Sequence, residues 1–411
     1  MWFVPGLMVL GALLVAHSVI WVDLWLDERA LDVFPESLRL GVEGSRGILV
    51  AIGGSVLAVA ATTFSITMSV IASASSTYGP RLVRNFMADR SNQRVLGLFV
   101  ATFVYCLMVM RRVQGADDGV TFVPHVAVYG ALVLALVSVA ALVYFLHHIS
   151  DVIQVSTLIR RVRTELERAV DAVYGSGAED RVAAGPLGAA GAVVLAPRSG
   201  FVTSIDAPTL ARAAEGVGVA ELTATPGTHV MAGESLARVR GSEDEMSRLV
   251  VEHVHIGDTR TPAQDVGFAV QQLLEMAVRA VSPSTNDPYT ARNVVEELAS
   301  GLVPAMRHPA PGAGWPDGEG VVRVIWPVPS GPELVDLVFD DLRNYAASDP
   351  AVVHASLRLA ARIARVAGPD TVARLHEQVD ALLDRAAAEG VPEIDLGRLR
   401  AARAHLLGVR S

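Results

Sequence analysis

The sequence predicts a membrane α-helical domain of four transmembrane helices, followed by a cytosolic α+β domain with a small barrel-sandwich-like β part and a C-terminal helical bundle. The first observation is the distribution of apolar residues. The 411-residue chain is 51% hydrophobic, and segments near 2–22, 47–76, 95–110 and 122–148 concentrate that content in the first third. The second is a switch, after a Gly/Ala-rich stretch, to short strand-like runs punctuated by glycine turns. The third is a set of amphipathic, arginine-rich helical patterns that closes the chain. Together they divide the sequence into a transmembrane domain at 1–150, a helical stalk at 151–175, a linker at 176–192, a small β domain at 193–260 and a mainly helical region at 261–411.

The first apolar segment has no basic n-region and no clear small-residue cleavage site, so it reads as a retained helix rather than a signal peptide. The loop after it carries Asp23, Asp27, Glu28, Asp32, Glu36 and Glu43 against Arg29 and Arg39. The next loop is the reverse, with Arg81, Arg84, Arg90 and Arg94 against Asp89. By the positive-inside rule the arginine loop faces the cytosol, which predicts a multi-pass protein of the bacterial inner membrane with both termini cytosolic. Arg111 and Arg112 fall on the outer side and run against that trend.

The second segment is the most unusual. No charged residue lies between Arg46 and Arg81, more than is needed to cross a hydrocarbon core of roughly 30 Å at about 1.5 Å per residue. Its lower half is rich in hydroxyls: Thr62, Ser65, Ser69, Ser73 and Ser76 fall on or beside one helical face, which Gly54, Ala58 and Ala61 continue upward. Two readings are open, close helix packing through small residues and a polar path formed when several copies face a common axis. Both require a neighbour, because lipid offers hydroxyls no partners.

In the arginine loop, Tyr78-Gly79-Pro80 predicts a helix break, with Pro80 opening a short amphipathic helix through Asp89. Arg81, Arg84, Arg90 and Arg94 read either as headgroup ligands that set topology or as a cationic ring at the cytosolic mouth of a pore. At the end of the fourth segment, His147 and Asp151 are four residues apart beside His148. They read as a metal or proton-linked pair, or as membrane-boundary residues that hydrogen-bond headgroups.

Composition excludes several chemistries. All 34 Lys+Arg residues are arginine, which removes Schiff-base chemistry, a Walker lysine and lysine-linked biotin or lipoate. The single cysteine, Cys106, lies in an apolar segment, so neither an intrachain disulfide nor a cysteine-based zinc site can form. A formal net charge of −9 argues against a nucleic-acid partner. No cofactor is expected.

Strands are predicted at 192–196, 201–205, 218–223 and 235–239, with turns at Ser199-Gly200, Pro226-Gly227 and Gly233. This pattern resembles the barrel-sandwich fold of lipoyl and biotinyl carrier domains without their modifiable lysine, which implies a shape and not the carrier chemistry. Val250 to Ile256 alternates as a further strand with His253 and His255 on one face. Asp265 to Val281 has the stripe of a core-packed helix. Asp287 is expected to cap a helix with Pro288 in its first position, and that helix runs over 290–300. A Pro/Gly-rich loop at 308–320 precedes a strand at 321–326. Helices near 333–346, 351–367, 370–389 and 395–407 follow.

The run Phe64 to Ser69 followed by Gly79-Pro80-Arg81-Leu82 belongs to a wider pattern with Tyr144 to His148, Ser199 to Asp206 and Ser282-Pro283. With Asn286-Asp287-Pro288 and Thr290-Ala291, it resembles a bacterial family of predicted membrane proteins known only as a domain of unknown function. The resemblance implies four helices and a cytosolic domain, and no activity. The leading functional expectation is therefore physical: an oligomeric channel or conduit for ions or small solutes, lined by the second helix and assembled or gated by the cytosolic domain. The alternative is a membrane-anchored scaffold or sensor that binds a cytosolic protein. No nucleophile elbow, phosphate loop or adequate metal-ligand cluster supports an enzyme.

Overall fold

The computed structural model describes residues 3–29, 40–78, 90–114, 122–175, 181–188, 191–307 and 313–408, with side chains undescribed at 74–78, 90 and 150–153. It separates into two units, 1–154 and 155–411.

The first unit holds four helices long and apolar enough to cross a membrane: α1 (Phe3–Glu28), α2 (Val42–Tyr78), α3 (Arg90–Met110) and α4 (His125–Ile153). Helix α3 is the hub, packing on all three others. Gly97 lets α1 come close, since a Cβ there would lie 2.7 Å from Met8 Sδ. A core of Ile20, Leu49, Tyr105, Val109, Val128 and their neighbours joins the four helices near one end, and Val56, Phe99, Phe145 and Ile149 form a second cluster further along.

Asp23, read from sequence as a loop acid, lies within α1 and is buried. Its carboxylate accepts the Val126 and Ala127 backbone N–H groups, each at 2.9 Å. These belong to the first turn of α4, where N–H groups have no partner in their own helix, so Asp23 caps α4 from another helix. Nearby, Tyr105 donates to the Ala127 carbonyl at 3.0 Å and Arg46 to the Val113 carbonyl at 2.9 Å.

The second unit joins a β part to a helical part. The β part has a five-stranded sheet in the order β1-β5-β3-β8-β7 and a three-stranded sheet in the order β4-β2-β6. Its strands are β1 (Ala192–Leu195), β2 (Gly200–Ile205), β3 (Gly218–Leu222), β4 (His229–Val230), β5 (Ser235–Gly241), β6 (Val254–Gly257), β7 (Gly314–Pro316) and β8 (Val322–Ile325). Both sheets share one core, which includes Val202, Ile205, Leu222, Leu236 and Val324. No closed barrel forms among the described residues.

Two sequence expectations change here. Strand β8 pairs with β3 in parallel, and β7 pairs with β8, so the sheet reaches well beyond residue 260 and into the expected 308–320 loop. The stretch expected as one strand over 250–256 divides into a helix and a strand. Two helices pack here, α6 (Ala207–Ala213) and α7 (Glu243–His253), and α7 carries His253 in its last turn, with Nδ1 2.9 Å from the Leu249 carbonyl. His253 and His255 therefore do not share a strand face. Ser242, followed by Glu243, Asp244 and Glu245, is a helix-start pattern, and Met246 and Val250 supply its buried side.

The helical part contains α5 (Val155–Tyr174), α8 (Val266–Ala280), α9 (Pro288–Glu297), α10 (Ala299–Arg307), α11 (Gly331–Tyr345), α12 (Pro350–Ala364), α13 (Pro369–Ala388) and α14 (Glu393–Leu407). Helix α5, expected as a stalk, packs on α8, α9 and α10 and buries Leu158, Val162, Leu166 and Val173. Gly301 makes this approach possible, because a Cβ there would overlap the Leu166 side chain. Asp287 caps α9 as expected, with Pro288 in the first turn.

Two stability outcomes follow from these contacts. Asp23→Ala leaves two N–H groups of α4 unpaired and is expected to cost about 1–2 kcal/mol, read as a lower thermal midpoint of the detergent-extracted protein. Gly301→Ala is expected to cost about 1–3 kcal/mol by overpacking, and adding Leu166→Ala should return part of that loss in a double-mutant cycle.

Candidate functional site

Helix α2 has two faces of different character. Leu49, Gly53, Val56, Ala60, Thr63 and Ile71 are buried, and a Cβ at Gly53 would stand 3.5 Å from Cys106 Cβ on α3. The opposite face carries Gly54, Ala58, Ala61, Thr62, Ser65, Ser69 and Ser73, all exposed. A Cβ at Gly54 would meet nothing within 4 Å. Among the described residues, no helix of the chain covers this face.

The hydroxyls of α2 do not follow this division, since exposed Thr62 bonds back to its own helix just as buried Thr63 does. Thr62 donates to the Ala58 carbonyl at 3.0 Å, Thr63 to Val59 at 2.7 Å and Thr67 to Thr63 at 2.8 Å, the back-bonding that lets a hydroxyl sit in an apolar medium. Among the described residues no hydrogen bond is made by Ser65 or Ser69. Beside this face a groove of about 320 Å³ lies between α2, α3 and α4, with Ser55, Val59, Phe99 and Ser138 in its wall. Thr102 and Ser138 are 3.2 Å apart there and buried.

Other sequence-predicted residues are scattered. Arg81, Arg84 and the amphipathic helix expected over 80–89 lie outside the described residues, as do the side chains of Ser76, Arg90 and Asp151. Arg94 is exposed at the start of the α3 span, in the wall of a separate cavity that also includes Tyr144. His148 stacks on Tyr144, with ring centroids 5.6 Å apart and planes 8° from parallel, while His147 is exposed. No group of three or more His, Cys, Asp or Glu side chains converges among the described residues.

Sequence reasoning missed a buried cation in the second unit. Arg181 is 7% exposed and lies over Trp315 at 4.1 Å and Trp326 at 5.8 Å, the two indoles stacked at 6.1 Å. Burial pushes its pKa down to about 10. The two tryptophans, Trp315 within β7 and Trp326 just after β8, were the available signal, but only the fold brings Arg181 to them.

Residues 1–362 match the family described as "Predicted membrane protein (DUF2254)". The chain belongs to this family. Among relatives of this DUF2254 protein are the uncharacterized proteins Rv1290c of Mycobacterium tuberculosis (strain ATCC 25618 / H37Rv) and Mb1321c of Mycobacterium bovis (strain ATCC BAA-935 / AF2122/97). Each is 34% identical to it over 332 residues, covering 78% of this chain and 64% of the relative. The chain thus spans just under two thirds of the length of the curated relatives it matches. No solved structure matches it.

The polar turn before α9, part of the pattern that resembles this family, is built around Asp287. Its carboxylate accepts the Thr290 hydroxyl at 2.6 Å and the Thr290 N–H at 3.1 Å. These bonds, the hydroxyl's first, hold the Asp287 carboxyl below its ordinary range. The Arg323 guanidinium does the same for Asp317 at 2.7 Å. A carboxyl lowered on folding stabilises above its unfolded pKa of about 3.9, and that contribution disappears as pH falls through the folded value. Asp287→Ser keeps a capping oxygen and removes the titrating group, so the drop in thermal midpoint on acidification below about pH 4 should be smaller than in the unaltered protein.

Proposed function

We propose that this DUF2254 protein is an oligomeric conduit for ions or small solutes in the bacterial inner membrane. Its α2 helices face a common path, and residues 155–411 form a cytosolic part that assembles or gates it. The observation that carries this reading is the uncovered face of α2. Gly54, Ala58 and Ala61 let another helix approach closely. Below them Thr62, Ser65, Ser69 and Ser73 offer hydroxyls without a fixed charge, a surface that helps a polar solute along without trapping it. Lipid is the least favourable cover for such a face, since it supplies no hydrogen-bond partner. The acidic outer loop favours cations and the arginine-rich inner side favours anions, so the permeant class is set by measurement.

The test is the mass and symmetry of the nanodisc-extracted particle, followed by flux through reconstituted vesicles. The expected result is a closed ring with α2 nearest its axis. Leucine at Ser65, Ser69 and Ser73 should then lower flux at least tenfold while leaving particle mass unchanged. A monomer, or a two-fold dimer with no central path, overturns the conduit and leaves the scaffold that binds a cytosolic partner.

A further inference from the structure

A cavity of about 360 Å³ opens between α1, α3 and α4 at the end of the first unit opposite the Asp23 cap. Its polar end holds Arg94, Ser91 and Tyr144, and its deeper wall holds Met8, Val95 and Leu98. The Tyr144 hydroxyl is 3.4 Å from Ser91 Oγ, and the Tyr144 ring is held by its stack on His148. Among the described residues, no carboxylate lines the cavity and Arg94 has no acidic partner. We propose that this cavity binds a glycerophospholipid with a net anionic headgroup, its phosphate at Arg94 and Tyr144 and an acyl chain along Met8, Val95 and Leu98.

The depth of these residues supports that occupant. Ser91 opens the apolar span of α3, which runs to Met110, and Tyr144 lies near the end of the antiparallel span of α4 that ends at Ile149. Arg94 is therefore at the edge of the hydrocarbon, where a guanidinium reaches for the headgroup layer and a tyrosine keeps its ring in the apolar margin and its hydroxyl in the wet one. A phosphate offers the guanidinium a charge-assisted, two-point partner. Below it, α1 seats closely on α3 at Gly97, where a Cβ would lie 2.7 Å from the Sδ of Met8, a residue that lines the cavity. A zwitterionic headgroup carries its own cation beside the phosphate, so it neutralises Arg94 less well than a net anionic one. The site is independent of any conduit, because it uses neither α2 nor a second copy.

The experiment is native mass spectrometry of the full-length protein in mild detergent. It is titrated with phosphatidylglycerol, with phosphatidylcholine of the same acyl chains, and with glycerol 3-phosphate. Phosphatidylglycerol should be retained in preference to phosphatidylcholine, and glycerol 3-phosphate should not displace it. Arg94→Gln should lower phosphatidylglycerol retention about tenfold, the effect of one charge-assisted hydrogen bond, and leave phosphatidylcholine unchanged. Arg94→Lys should restore most of it, and Leu98→Trp, which fills the apolar end, should lower retention of both lipids. Arg112→Gln, in the turn after the far end of α3, should change nothing. Equal retention of the two lipids, or an unaltered Arg94→Gln profile, overturns the proposal. So does displacement by glycerol 3-phosphate, which would make the site one for a free phosphate. Loss of the bound lipid only when the particle becomes monomeric would assign the cavity to a neighbouring copy, and also overturns it.

Discussion

In hydrocarbon a polar group must find its partner inside the protein, and this requirement organises the first unit. Mid-helix threonines meet it locally, bonding back to carbonyls one turn earlier. Helix ends cannot, and there the chain spends side chains from other elements: Asp23 of α1 takes the first N–H groups of α4, and Arg46 of α2 takes the Val113 carbonyl after α3. Tyr105 of α3 adds a bond to Ala127, with Gly130 leaving room for its ring. These bonds gather near one end of the bundle. They tie all four helices around α3 and, among the described residues, leave one face of α2 without cover from its own chain.

Much of this plan was legible in the sequence because the strongest signals are compositional and local. Four apolar runs gave four helices, and Asp287-Pro288 announced a capped helix through the chemistry of its own first turn. What escaped depended on distance or on a weak period. Asp23 read as a loop acid because its partners lie about a hundred residues away. The run ending at Ile256 alternates only by chance, since the acidic cluster at Glu243 to Glu245 starts a helix that ends at His253. The partnership of β3 with β8 leaves no local trace in either strand. The hydroxyl face of α2 was visible as a stripe, but its exposure depends on which side α3 and α4 occupy.

The second unit answers a different demand, the joining of segments far apart in sequence. Charged pairs do much of this among its helices: Arg163 meets Glu297, Arg358 meets Glu296, and Arg374 meets Asp336 at 2.6 Å. Gln378, almost fully buried, bridges Asp336 and Asp340 on the facing helix. The buried Gln378 amide ties α13 to α11 because it finds its acceptors only where Asp336 and Asp340 face it.

The pairing of early and late strands also sets an order of events on the ribosome. Val182 exchanges both backbone hydrogen bonds with Gly314, and Ala220 lies beside Val324 in the sheet. The β part therefore stays an unfinished sheet, with β3 an open edge, until more than a hundred further residues have been made. The helices α8, α9 and α10 emerge in that interval. The first unit, complete by residue 154, has no such wait. During synthesis the nascent chain thus carries a finished set of membrane helices and a sheet with an exposed strand, and the arrival of β8 is the step that closes it.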